Sequence, residues 1–174
     1  MLPTVLNAEF TRCGSPQLNI RAATPNDLAD IERVLEDTDL FPPDMLEEMI
    51  ELFFSGSPDE RWLVCELEDA GVMGFSYART EMLTEGTWNL LAIGFRVAHQ
   101  GQGYGTAMIE AVEHALDTAR VLIVETSGLD DFAATRHFYE THGYTKEAVI
   151  RDYWADGDDK IIYWKALAAQ RSTR

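Results

Sequence analysis

The segment Gln100-Gly101-Gln102-Gly103-Tyr104-Gly105 constrains the fold of this chain most sharply. It follows an apolar run, Leu90-Leu91-Ala92-Ile93-Gly94-Phe95, that reads as a strand. It opens a helical pattern in which Ala107, Ile109, Ala111, Val112 and Leu116 fall mostly on one side. Three alternating glycines between a strand and a helix leave backbone amides bare. Those amides sit where the helix dipole already favours an anion, so a phosphate or pyrophosphate is the expected occupant.

The spacing excludes two common phosphate loops. A dinucleotide-binding fingerprint needs a third glycine one step later, but position 106 is Thr106. A P-loop needs Gly-Lys-Ser/Thr after four spacers, and no lysine is near. The rest of the chain reads in the order β-α-α-β-β-β-α-β-α-β-β over residues 18–167. A strand over Leu18–Arg21 is followed by a helix that starts at Thr24-Pro25-Asn26-Asp27 and runs to about Asp37. A second helix restarts at Phe41-Pro42-Pro43-Asp44 and ends near Ser55. Strands over Trp62–Leu67 and Val72–Thr80 flank a turn at Asp69-Ala70-Gly71, and the next strand spans Trp88–Phe95. The helix after the glycine loop runs to about Thr118, and Val121–Val124 is a short central strand. A helix over Asp131–Thr141 leads to a last hairpin, Tyr144–Ile150 and Lys160–Trp164, across Asp156-Gly157-Asp158-Asp159. Residues 1–16 read as an irregular leader, 17–168 as one domain and 169–174 as a tail.

Composition narrows the function classes. The formal net charge of −16 argues against nucleic acid or an anionic membrane as partner. No apolar run reaches the roughly 18 residues of a membrane helix. Met1–Phe10 lacks the basic residues and apolar core of a secretory signal, so a cytoplasmic location is expected. Two cysteines, Cys13 and Cys65, read as reduced thiols. His99, His114, His137 and His142 share no helix face at metal-ligand spacing, and no metal site is expected. The acidity fits a cationic amine substrate and equally a solvated acidic surface.

The glycine loop matches Q/R-x-x-G-x-G/A. A second stretch, Ala134-Thr135-Arg136-His137-Phe138-Tyr139-Glu140-Thr141-His142-Gly143-Tyr144, matches A-x-x-x-x-Y-x-x-x-G-F/Y. Two separate motifs in this order are far more specific than either alone. In both, and in the order of its elements, the chain resembles the GCN5-related N-acetyltransferase (GNAT) family.

The resemblance implies a single α/β (α+β) domain: a mixed, mostly antiparallel seven-stranded sheet flanked by about four helices. It implies acetyl-CoA as co-substrate, with no metal, and direct acetyl transfer to a small-molecule or peptide amine in a ternary complex. The amides of Gly101, Gln102, Gly103, Tyr104, Gly105 and Thr106 would cradle the pyrophosphate, with the Gln100 side chain closing over the loop. The oxyanion donor would be a backbone amide among Ile93, Gly94 and Phe95, where two central strands splay. Gly94 interrupts the apolar strand and reads as a bulge or a close ligand approach. Tyr139 would protonate the leaving thiolate, although Phe138, Tyr139 and Tyr144 also read as a packed aromatic cluster. Histone-type relatives place a glutamate base eleven residues before the loop's Gln; that position here is Asn89. An amide cannot take a proton, so Asn89 is left to position substrate or water. The base is then Glu125, Glu81, Glu85 or a water chain. Glu125 also reads as a solvated strand end or helix cap.

Around the acceptor, the resemblance points to Leu40-Phe41-Pro42 and Glu81–Thr87, and it points to a homodimer. Tyr153 and Trp154 of the last hairpin read as closing that pocket, as a dimer contact or as plain surface or core aromatics. The rival readings are a non-catalytic acyl-CoA-binding or sensing domain and, against the glycine spacing, a nucleotide-dependent oxidoreductase.

Overall fold

A computed structural model of the chain describes residues 18–38, 40–68 and 70–167. The expected leader with Cys13, the tail over 169–174 and Asp69 of the first hairpin turn lie outside the described residues. The elements are β1 Leu18–Ala22, α1 Leu28–Thr38, α2 Leu46–Phe54, β2 Glu60–Leu67, β3 Gly71–Thr80, β4 Thr87–Phe95, α3 Tyr104–Ala115, β5 Val121–Ser127, α4 Ala133–Thr141, β6 Thr145–Ala155 and β7 Asp158–Ala166. The strands form one seven-stranded sheet in the order β1-β2-β3-β4-β5-β7-β6. It is mixed: β4 and β5 pair in parallel, while β1–β2, β5–β7 and β6–β7 are antiparallel. The element order is the one read from the sequence.

Two compact units divide the described residues: those up to Ala78 with Ala92–Ala115, and Arg79–Leu91 with those from Leu116 onward. In the first unit, β2 alternates between two apolar clusters, as its period of two requires. Trp62 and Val64 pack with Ile31, Val34 and Leu35 of α1, Leu46 and Ile50 of α2, and Phe75 and Tyr77 of β3. Cys65 and Leu67 pack with Met73, Phe95 and Met108 of α3. α3 thus buries Met108, Ile109 and Val112, whereas Ala107 and Ala111, expected on the core side, are half-buried. The unbranched Met fills space that two alanines leave.

The start of α1 is fixed by one carboxylate. Asp27 accepts from the Thr24 amide at 2.7 Å and the Thr24 hydroxyl at 2.8 Å. It also takes a two-pronged bond from Arg21, at 2.7 and 2.8 Å. Asp27 is 5 % exposed. The Arg21 guanidinium beside it, joined by the Thr24 donors, holds its carboxyl below the usual range.

In the second unit, Leu122 and Val124 of β5 and Ile161 and Tyr163 of β7 are buried. The last hairpin is longer than its expected span. Its turn is only Asp156-Gly157, with Gly157 at φ +80°, a two-residue turn of the Asp-Gly kind. Asp158 and Asp159 belong to β7, and Asp159 accepts from the Asp152 amide at 3.0 Å. Asp152 in turn accepts from the Gly157 amide at 2.9 Å, and Asp158 accepts from the Ser127 hydroxyl at 2.5 Å, which is why these acids sit in the hairpin and not in a wide loop. α3 ends at Ala115, three residues before the expected stop, where Leu116 accepts the Ala119 amide in a turn.

Candidate active site

Within the first unit the glycine loop starts after β4. Gly101 lies at φ +71° and Gly103 at φ +87°, a region open to glycine and strained for other residues. A Cβ at either would meet nothing within 4 Å. The glycines therefore serve the backbone turn and leave the space above it empty. Gly103 caps α3: its carbonyl accepts from Thr106 at 3.2 Å and Ala107 at 3.4 Å. The Thr106 amide is thus committed to the helix and leaves the cradle, contrary to expectation. Among the described residues the amides of Gly101, Gln102 and Gly103 have no carbonyl partner.

The Gln100 side chain does not close over the loop. Its Nε2 donates to the Phe95 carbonyl at 3.0 Å, tying the loop back to the end of β4. Gln102 does the same toward Ala98, at 3.0 Å. A long amide finds a nearer carbonyl at the strand end, and the loop is braced from behind. Gly94 also has a different reason from the expected one. A Cβ there would stand 2.6 Å from Leu40 Cδ1, so the close approach is by a protein side chain. Ile93 and Phe95 pack into the cluster around Met108, and the Tyr104 ring stacks on Phe95 at 6.4 Å between centroids.

Within the second unit a polar chain runs from the segment after β3 across β4, β5 and β7. Just beyond β3, the Glu81 amide donates to Thr87 of β4 at 2.9 Å. Asn89 is two residues further along β4 and opposes Ile123 of β5. Glu125 is two residues beyond Ile123 and opposes Ile162 of β7. Lys160 is two residues before Ile162. Each group is thus one diagonal step from the last, on a shared face. Asn89 Nδ2 donates to Glu81 Oε1 at 2.8 Å and makes a long contact of 3.5 Å with Glu125 Oε1. Lys160 Nζ lies 2.8 Å from Glu125 Oε2 and 3.7 Å above the Tyr153 ring, with Trp154 at 5.5 Å.

Asn89 is 3 % exposed, and its Oδ1 has no partner among the described residues. Lys160 is 6 % exposed. Burial alone would lower its pKa; the bond to Glu125 and the adjacent Tyr153 oxygen outweigh this and raise it, so it stays an ammonium.

Asn89, Glu81 and Glu125 are therefore brought together. Glu125 is neither a solvated strand end nor a helix cap: it lies inside β5, ion-paired. Glu85 stands apart from the chain, exposed, its carbonyl bound by Arg120 Nε at 2.7 Å. Lys160 was not singled out in the sequence. The available signal was a lone lysine opening an apolar strand in a chain that has three lysines. In the loop after Glu81, Leu83 is fully exposed at φ +61°, an outlier for a leucine, and Met82 is exposed beside it.

Tyr139, in the last turn of α4, is 3 % exposed among the rings of Phe138, Tyr144 and Tyr163, at 5.3, 5.6 and 5.7 Å. Burial pushes its phenol above the ordinary value, so it is protonated throughout the physiological range. The packed aromatic cluster read from the sequence is thus present, and within it Tyr139 keeps its proton. Cys65 is buried in β2, and desolvation pushes its thiol up to about 12, which removes it as a nucleophile. Among the described residues no group of three or more His, Cys, Asp or Glu could hold a metal ion. None of the described helices is long and apolar enough to cross a membrane.

The comparisons with known proteins agree on one family. The acetyltransferase (GNAT) domain model matches residues 58–146. A crystal structure from Desulfovibrio desulfuricans, described as a GNAT-family acetyltransferase, is 32 % identical. It superposes with a TM-score of 0.77 over 87 % of this chain and 99 % of its own. The ribosomal-protein-S18-alanine N-acetyltransferase of Escherichia coli shares the fold at 16 % identity, with a TM-score of 0.72 over 90 % of this chain and 98 % of its own. The spermidine N-acetyltransferase of Vibrio cholerae, in complex with CoA and spermine, does so at 17 % identity, with a TM-score of 0.72 over 86 % and 95 %. No curated protein sequence matches the chain.

Proposed function

The chain belongs to the GNAT acetyltransferase family, and we propose that it transfers the acetyl group of acetyl-CoA directly to an amine of a small-molecule or peptide acceptor. The observation that carries the donor is the loop: Gly101 and Gly103 hold a left-handed turn whose amides are bare and whose outer face has room for an anion. These residues fit a pyrophosphate. The CoA bound to the Vibrio cholerae neighbour supports the same donor.

Acetyl-CoA supplies a thioester carbonyl open to attack by a neutral amine. The residues do the rest. A carboxylate of the Glu81–Asn89–Glu125 chain takes the proton from the acceptor's ammonium. An amide among Ile93–Phe95 donates to the carbonyl oxygen as it becomes negative. Tyr139 gives its proton to the leaving sulfur as the C–N bond forms and the C–S bond breaks. Neither cysteine lies in the two motifs and Cys65 is buried, so the scheme has no acetyl-enzyme.

Asn89 in place of a glutamate favours the second reading, an acyl-CoA-binding or sensing domain without turnover. Thiol release separates the two. With acetyl-CoA and a panel of monoamines, amino acids, polyamines, aminoglycosides and peptides, at least one amine liberates free CoA faster than water does. Tyr139→Phe lowers kcat on that amine by about a hundredfold, the usual worth of a placed acid. Tight CoA binding with no amine turned over, and no effect of Tyr139→Phe, establishes the sensor instead.

A further inference from the structure

The polar chain from Glu81 across β4, β5 and β7 has an unfinished valence and an unbalanced charge. Asn89 directs Nδ2 into the two carboxylates, and this fixes its amide, leaving Oδ1 buried and unpartnered. A buried acceptor without a donor is costly, so the site is built for a group that brings N–H bonds. Two carboxylates and one ammonium leave the chain a formal charge of −1. One added cation balances it.

We infer that Asn89, Glu81 and Glu125 receive the acceptor's ammonium, and that Lys160 is a specificity-determining residue that admits acceptors with one positive charge near the reacting amine and turns away polyamines. This deepens the acetyl-transfer reading and rests on it only for what happens after binding. Lys160 is held by Glu125 on one side and by the Tyr153 face on the other, so its ammonium cannot swing aside for a second cation. It also neutralises the carboxylate that a second cation would need. Lys160 touches no reacting atom in this scheme; it acts through Glu125 and through its own charge.

The test is calorimetric binding of n-butylamine and 1,4-diaminobutane to the CoA-loaded protein, with free thiol followed in parallel. A unit charge about 8 Å from a second ammonium, at an effective dielectric between water and protein, is worth about tenfold in affinity. Wild type binds the monoamine more tightly than the diamine. Lys160→Gln moves the ratio about tenfold toward the diamine, and Lys160→Arg keeps the wild-type ratio. The double variant Lys160→Gln/Glu125→Gln restores the −1 charge and with it the wild-type ratio, which a merely structural lysine would not do. A ratio unchanged within about twofold in Lys160→Gln, or no binding of either amine to wild type, overturns the inference. Thiol release keeps the two readings apart. Release with an unmoved ratio sinks the Lys160 role alone; a moved ratio without release sinks acetyl transfer alone.

Discussion

Gly103→Ala isolates the glycine loop's part in donor binding. The substitution adds one methyl group at φ +87°, where an L side chain is strained by about 1 kcal/mol. Nothing stands within 4 Å of that methyl, so no packing term is added. For a chain of this length 1 kcal/mol lowers Tm by about 3 °C. The consequence for CoA is larger. A methyl in the open face of the loop keeps a phosphate from the bare amides, and one lost charge-assisted bond is worth about 1.5–3 kcal/mol, or about tenfold to a hundredfold in Kd.

The control is Gly157→Ala, in the turn between β6 and β7. Its φ is +80°, and it too has nothing within 4 Å, so its stability cost is the same. Its CoA affinity stays at the wild-type value. Thermal unfolding and calorimetric titration of CoA read both effects. The reasoning is refuted if Gly103→Ala binds CoA within about threefold of wild type, or if Gly157→Ala weakens it equally.

Two further expectations concern stability and reactivity. Asp27→Asn removes the charge from a buried cap that takes four bonds, and destabilises the fold by about 3 kcal/mol at pH 7. Because the folded pKa of Asp27 is depressed, its contribution is whole above the unfolded value of about 4 and is lost as pH falls through the folded one. Tm against pH for wild type and variant should therefore converge in acid; parallel curves from pH 7 to pH 3 would contradict this. The Cys65 thiol, pushed up to about 12, resists iodoacetamide at pH 8 in the folded protein and reacts in guanidinium. Peptide mapping that finds Cys65 equally alkylated in both conditions would overturn its burial.

The fold was legible wherever a local rule decided the backbone. Thr24-Pro25-Asn26-Asp27 announces a helix start, and the cap is there, though its strength comes from Arg21, which no local rule supplies. Val121–Val124 is apolar on both faces and became an interior strand. The misread ends have local causes too. In α3 the choice of Met108 over Ala107 as the buried residue depends on which strand face the helix meets, and periodicity alone gives only a stripe of uncertain centre. In the last hairpin, four aspartates within eight residues read as loop, although two of them cap amides inside it.

The site divides on the same line. The glycine loop is contiguous, so its turn geometry follows from its own residues. The carboxylate chain is not: its partners lie 8, 36 and 35 residues apart and meet only through the register of neighbouring strands. A shift of one residue in the β4–β5 pairing would turn Glu125 to the other face of its strand relative to Asn89. Read along the sequence, Asn89 is a missing base. Read across the sheet, it is the hub between two carboxylates, where the proposed scheme seats one ammonium. An amide does this better than a glutamate would, because a third carboxylate at that point would repel the other two, whereas Nδ2 binds them and Oδ1 remains for the substrate. In the proposed scheme the proton-accepting role is then shared with neighbours whose positions sequence spacing does not encode, and the Lys160–Glu125 ion pair leaves Glu81 as the carboxylate free of a cation among the described residues.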